Sequence, residues 1–260
     1  MTKNLKFLVL FYVSLLLVST ATATDVAKEK RWADQIIDGL MDGEPVWLNA
    51  AGHEFLAIDT PNSEGNQNKA LIVVHGIGVH PNWDQIIQPM RVEMTERGWR
   101  TLSIQMPILP NEAESREYFP LFYQTPKRFQ AAIQYLKSTG SSDITIVAHS
   151  LGSAMSAFYL AKSNDQSIRA FVAIGLNAAQ QNKSVNAASS LEKISIPVLE
   201  IYGSKDLPQV LETAEKRSIA AQKSGNIYSQ KVVEGANHFF DEHTDILIDE
   251  VSEWLATQDK

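Results

Sequence analysis

Three side chains in this sequence have the types and the order needed for covalent acyl transfer: Ser150, Asp206 and His238. A serine hydroxyl is a weak nucleophile at neutral pH. It needs a base within hydrogen-bond reach, and that base needs an acid to orient it. Ser150 stands in Ala148-His149-Ser150-Leu151-Gly152, which follows the G-x-S-x-G pattern with alanine for the first glycine. Asp206 closes Tyr202-Gly203-Ser204-Lys205-Asp206, and His238 closes Gly235-Ala236-Asn237-His238. Each also has a structural reading. Ser150 suits the cap of a following helix, Asp206 suits the cap of one starting at Leu207, and His238 suits a surface turn.

The elements around these residues favour the chemical reading. Asp143 to Ala148 reads as a buried strand and Leu151 to Ala161 as a helix, with almost no loop between them. A strand that turns directly into a helix around a serine strains the serine backbone and lifts its hydroxyl clear of the sheet. The next N–H, on Leu151, then points into the same space, as does the positive end of the helix.

Earlier in the chain, Asp25 to Met41 has a single apolar helical face and reads as an N-terminal arm. Val46 to Leu48 and Glu54 to Ile58 read as an antiparallel pair at the sheet edge. Lys69 to Val74 is a buried strand, Trp83 to Arg97 a helix with Asn82 and Gln85 at its cap and third positions, and Trp99 to Gln105 a strand. Met106 to Gln124 is irregular and aromatic, and its Tyr118, Phe119, Phe122 and Tyr123 suit core, lid or substrate contacts equally. A helix from Thr125 to Gly140 leads to the serine.

After the serine come strands at Arg169 to Ile174, Pro197 to Tyr202 and Tyr228 to Val233. Leu207 to Ser224 and Thr244 to Leu255 are helices, and Asn177 to Lys193 holds at most one short helix. This alternation predicts an α/β fold: a mostly parallel central sheet flanked by helices on both faces, with no large lid domain. Ligands of such sheets sit beyond the carboxyl ends of the strands. The His75 loop, Ser150, Asp206 and His238 all fall there.

From about Val46 to Leu255 the sequence resembles the α/β-hydrolase superfamily, and its exported, esterase-like members in particular. The resemblance rests on Val74-His75-Gly76, Ala148-His149-Ser150-Leu151-Gly152, Tyr202-Gly203-Ser204-Lys205-Asp206 and Gly235-Ala236-Asn237-His238 occurring in that order. It implies Ser150 as nucleophile, His238 as general base and acid, and Asp206 as its orienter. It also implies an oxyanion hole from the backbone N–H groups of Ile77 and Leu151, supported by His75 and Gly76. Ala148 departs from the usual glycine and crowds the elbow by one methyl. The expected activity is a serine hydrolase cleaving a small carboxylic ester through an acyl-enzyme. An acyltransferase or a peptidase would use the same triad, and a non-catalytic binding protein would use the same fold.

No cofactor is expected. No metal site is expected either, because no histidine pair has helix spacing. His149 reads as local packing, and His80 and His243 as surface residues. A neutral histidine is needed to take the serine proton, so activity is expected to rise with pH, and EDTA is expected to leave it unchanged.

The 260 residues suffice for one such domain, at 44% hydrophobic and 20% charged. Residues 1–23 read as a signal peptide: Lys3 and Lys6, an apolar run from Phe7 to Val18, and cleavage after Ala23. The apolar run falls short of the ~20 residues of a spanning helix, although an uncleaved anchor is the alternative. The remainder divides into a helical arm over 24–45 and a catalytic domain over 46–260. Export to the periplasm or the extracellular space is expected, with no membrane span after cleavage. The net charge is −7, two units more negative without the leader, and no lysine or arginine run interrupts it. That balance argues against nucleic acid and anionic lipid as partners; the partner that the resemblance implies is a small acyl substrate. The absence of cysteine excludes a thiol nucleophile, a thiolate metal site and a lipid-modified N-terminal cysteine. Oligomeric state is left open by the sequence.

Overall fold

The computed structural model describes residues 24–258 except 66, 164 and 226, so the expected signal peptide lies outside the described residues. The element order is α1 (Val26–Gly39), β1 (Glu44–Ala50), β2 (His53–Thr60), β3 (Lys69–Val74), α2 (Ile87–Glu96), β4 (Arg100–Ile104), a 3-10 segment (Ser115–Gln124), α3 (Thr125–Ser138), β5 (Asp143–His149), α4 (Leu151–Lys162), β6 (Ile168–Ile174), α5 (Ala187–Leu191), β7 (Val198–Lys205), α6 (Pro208–Leu211), α7 (Ala214–Lys223), β8 (Tyr228–Asn237) and α8 (Thr244–Thr257).

The eight strands form one sheet in the order β1-β2-β4-β3-β5-β6-β7-β8. β1 and β2 run antiparallel to each other, and β2 runs antiparallel to β4. All the later pairings are parallel. Alternation along each strand sends side chains to two different cores. Ile72, Val74, Ile146 and Phe171 join Phe129, Leu136, Met155 and Phe158 on one face. Leu71, Val73, Val147 and Val172 join Met90, Met94, Leu247 and Val251 on the other. The connection from β6 to β7 holds only α5, so among the described residues no large lid covers the carboxyl ends of the strands.

Helix α1 packs Ala33 and Ile36 onto Leu56 and Ile58 of β2. Its Glu29 is buried between two strong donors. Arg128 Nη2 of α3 donates to it at 2.7 Å and His53 Nε2 lies 2.9 Å away. Lys28 Nζ, a residue further back, donates to the Leu109 carbonyl at 2.8 Å.

Strands β1, β2, β7 and β8 run past the ends expected from the sequence, and three larger differences have visible causes. Helix α2 starts at Ile87 rather than Trp83, because the two expected capping side chains are used elsewhere. Asn82 Oδ1 accepts from the buried guanidinium of Arg91 at 2.8 Å, and Gln85 Nε2 donates to Asp241 at 2.8 Å. The single helix expected over Leu207 to Ser224 is two, α6 and α7. Between them Thr213 Oγ1 donates back to the Gln209 carbonyl at 2.6 Å and accepts from Arg217 Nη1 at 2.5 Å. The stretch expected to be irregular, Met106 to Gln124, closes with a 3-10 segment whose Glu114 and Glu117 form a capping box. Tyr118 and Phe122 of that segment are core residues, and Tyr123 is exposed.

Candidate active site

The approach to Ser150 is built by the strand before it. β5 lies between β3 and β6 and carries Ile144, Ile146 and Val147 into the core, so its end is held on both sides. Ser150 takes φ 56 and ψ −121, a left-handed backbone that non-glycine residues rarely adopt. Its N–H is committed to the Ile174 carbonyl of β6 at 2.8 Å. Leu151 is the first residue of α4, where N–H groups have no partner within the helix. Gly152 is required by close approach: a Cβ there would lie 2.3 Å from the His75 carbonyl oxygen. The extra methyl of Ala148 is absorbed in the larger core, where it is 1% exposed.

Ser150 makes no capping bond with its side chain. Its Oγ lies 2.9 Å from His238 Nε2, and His238 Nδ1 lies 2.6 Å from Asp206 Oδ1. All three side chains are buried. A carboxylate only accepts, so the proton of His238 sits on Nδ1 and its Nε2 lone pair faces the serine hydroxyl. Asp206 Oδ1 also accepts the Leu207 N–H at 2.7 Å, so the helix-start role and the histidine-orienting role coexist on one oxygen. The three residues come from the ends of β5, β7 and β8. In chemical terms the line can move one proton from a hydroxyl onto an imidazole while keeping the resulting cation beside a carboxylate.

Gly76 and Ile77 follow β3. A Cβ on Gly76 would lie 3.1 Å from Ser150 Cβ, so this loop is pressed against the serine. His75 holds the loop from behind. Its Nδ1–H donates to the Gly76 carbonyl at 2.8 Å and its Nε2 accepts the Met106 N–H at 2.8 Å. Burial pushes its pKa down to about 3, so it stays neutral and keeps both bonds. Ser103 Oγ donates to the Pro81 carbonyl at 2.7 Å and pins the far end of the same loop. Arg91 reaches that end through Asn82, and also donates to the Asp42 carbonyl at 2.7 Å and Thr60 Oγ1 at 2.8 Å. Burial lowers the pKa of Arg91 to about 10.

Two neighbours were not legible as site residues. Gly175, just after β6, has φ +57, and a Cβ on it would lie 2.9 Å from His238 Cε1. Its position at the carboxyl end of a parallel strand was the available signal. His149, expected to pack locally, is buried, and its ring stacks on Trp83 with centroids 5.8 Å apart. His80 and His243 are half-buried rather than surface residues. His80 meets the edge of Trp32, and burial lowers its pKa, while His243 Nδ1–H donates to the Asp241 carbonyl at 2.8 Å. Among the described residues no group of three histidine, aspartate or glutamate side chains is placed to hold a metal ion. A cavity of about 700 Å³ opens between α5 and α7, but its lining includes none of Ser150, Asp206 and His238.

The strand order, the strained serine between β5 and α4, and the placement of Asp206 and His238 define an α/β hydrolase fold. Solved structures share it at low identity. Est1E from Butyrivibrio proteoclasticus has a TM-score of 0.65 at 16% identity, over 82% of this chain and 98% of its own. A dienelactone hydrolase from Anabaena variabilis has a TM-score of 0.64 at 17% identity, over 82% and 96%. The Pyrococcus furiosus esterase Pf2001 has a TM-score of 0.67 at 16% identity, over 85% and 92%. The chain belongs to the family described as "Protein of unknown function (DUF3530)", which it matches over residues 19–120 and 122–257. No curated protein matches it by sequence.

Proposed function

We propose that this protein is a serine hydrolase cleaving a small, uncharged carboxylic ester. The observation that carries the reading is the line from Ser150 Oγ through His238 to Asp206, at 2.9 and 2.6 Å, on a serine held at φ 56. Backbone strain of this kind clusters at functional sites, which supports the enzyme over a binding protein of the same fold. Ser150 Oγ attacks the ester carbonyl carbon as His238 Nε2 takes its proton. The oxygen that becomes negative is met by the N–H groups of Ile77 and Leu151. His238 returns the proton to the departing alcohol, leaving an acyl-serine, and water repeats the sequence to release the acid. Phe239 and Leu207, the neighbours of His238 and Asp206, are 41% and 43% exposed and give the opening an apolar rim. That rim and the absence of a large lid favour short, uncharged acyl groups. The leader-like residues 1–23 support an exported enzyme, which N-terminal sequencing of the secreted or periplasmic protein would test.

A fluorophosphonate probe tests the mechanism. Stoichiometric labelling of Ser150, with hydrolysis of short-chain nitrophenyl esters, is the expected result. No labelling at high probe concentration would leave the fold as a binding module.

Gly175→Ala offers a test of geometry. The added methyl must displace the His238 ring, and a misplacement on the order of 1 Å costs roughly 10²-fold in rate. The expected result is that loss in kcat with α/β secondary structure retained by circular dichroism. Unchanged turnover would mean that the ring has room to move without losing Ser150.

A further inference from the structure

One imidazole beside the triad touches both the loop after β3 and the segment that carries His238. His149 directly precedes the serine on β5. Its Nε2 lies 3.0 Å from the main-chain carbonyl oxygen of His238. Its ring stacks on Trp83 and lies 4.8 Å, centroid to centroid, from the ring of His238. Its Nδ1 would sit 3.2 Å from a Cβ on Gly76, at the start of the loop carrying Ile77. A carbonyl can only accept, so Nε2 carries the proton and Nδ1 is a bare lone pair. That Nδ1 is buried without a hydrogen-bond partner. The ring is held neutral by burial, which pushes its pKa down to about 3.

We infer that His149 is a positioning residue, whose Nε2–H fixes the main chain of His238, and so its imidazole, at hydrogen-bond distance from Ser150. The inference rests on the hydrolase reading. The segment after His238 is anchored in the core by Phe240, two residues on, but among the described residues nothing else buried ties the main chain of His238 itself to the strand that carries the serine. Phe240 and Glu242 have φ 53 and 61, both in the left-handed region that non-glycine residues avoid. Asn237 Oδ1 accepts the N–H groups of Phe239 and Asp241 at 3.0 and 3.2 Å, but those bonds fasten the turn only to itself and are solvent-exposed. The bond from Gln85 to Asp241 is exposed too. The His149 bond is buried and runs from the strand that carries the nucleophile to the residue that carries the base. Stacking on Trp83 keeps the donor aimed.

The test compares His149→Phe and His149→Gln with the wild-type full chain. Phenylalanine keeps the volume and the stack and removes the donor, whereas glutamine keeps an N–H near the same place. Turnover of a short nitrophenyl ester is normalised to sites titrated by fluorophosphonate. In parallel, histidine-labelled protein is followed by NMR for the downfield Nδ1–H of His238 bonded to Asp206. His149→Phe is expected to lower kcat roughly 10- to 100-fold with KM within about threefold, and to broaden that proton by exchange. His149→Gln is expected to recover most of the rate and the sharp proton. Wild-type kcat and a sharp proton in His149→Phe would overturn the inference, and so would equal loss in both variants. Should His149→Phe not fold, His149→Asn replaces it, since its amide is too short to reach the carbonyl. If the wild-type chain neither labels nor hydrolyses while the proton still broadens in the variant, the hydrolase reading fails and the positioning role stands.

Discussion

Ser150→Ala is expected to lower ester turnover roughly 10⁴- to 10⁶-fold while leaving the fold intact. The hydroxyl accounts for a single hydrogen bond in the described structure, to His238 Nε2 at 2.9 Å, and the strained backbone of residue 150 is set by β5, β6 and α4 rather than by its side chain. His238→Ala is expected to do equal damage, because the nucleophile and its base lose the same step when either is removed. Steady-state rates with a nitrophenyl ester, beside thermal melts of each variant, check both. Activity within about tenfold of wild type for either would show that the serine line is not the reaction path.

Asp206→Asn should fall at the low end of that range, at roughly 10⁴-fold, and the reason is visible in the bonds. One oxygen, Oδ1, takes both the His238 Nδ1–H and the Leu207 N–H. An amide oxygen can still accept both, but its NH2 would then face the Gly203 N–H that Oδ2 now accepts at 3.4 Å, so the amide loses the charge that steadies the imidazolium and its hold on the Nδ1–H tautomer. Neither Glu200 nor Asp241 can substitute. Glu200 is completely buried against Arg217, whose Nε and Nη2 donate to it at 2.8 and 2.5 Å, and it accepts from the Tyr228 hydroxyl as well. Asp241 is exposed and bonded to Gln85 and Asn237. Full activity in Asp206→Asn would mean that charge beside His238 contributes nothing to the rate.

What could be read in advance follows from locality. β3 runs from Lys69 to Val74 as expected because an apolar run buried on both faces has one solution at that length. The elbow was legible because its strand, serine and helix are contiguous. The ends of β7 and β8 then placed Asp206 and His238 by the rule that parallel strands deliver side chains to one rim. The failures have two causes: local bonds that break a helix, as at Thr213, and side chains that choose a partner outside their own element. Asn82 looked like a cap and went instead to Arg91, and Gln85 went to Asp241, far along the chain. His149 looked like filler because its acceptor, the His238 carbonyl, is distant in sequence and belongs to the main chain, which carries no mark of residue type. Gly175 was missed for a related reason: its requirement is set by the ring of His238, not by any neighbour in sequence.

The chain is expected to lose stability steeply in mild acid, through the two histidines that hold the loops around Ser150. His75 and His149 are both buried, and burial pushes each down to about 3. In the unfolded chain a histidine ionises near ~6.5. Above that value neither state binds the proton and the contribution is complete. Below it the unfolded chain takes up two protons that the folded chain refuses, so stability falls with pH, and the loss continues until about 3. His80, also lowered by burial, acts with the same sign. At ~1.4 kcal/mol per pH unit for each group, His75 and His149 alone remove about 4 kcal/mol between pH 8 and pH 5. That is a large share of the roughly 5–15 kcal/mol available to a domain. Urea unfolding at pH 8, 6.5 and 5 measures it as a falling midpoint, most of the fall coming below pH 6.5. In His149→Phe the slope should shrink but not vanish, because that variant has one fewer imidazole to protonate on unfolding while His75 and His80 remain. A midpoint that stays level from pH 8 to pH 5 would mean that these imidazoles accept protons in place, and the loops they hold would then have to work with cations beside Ser150.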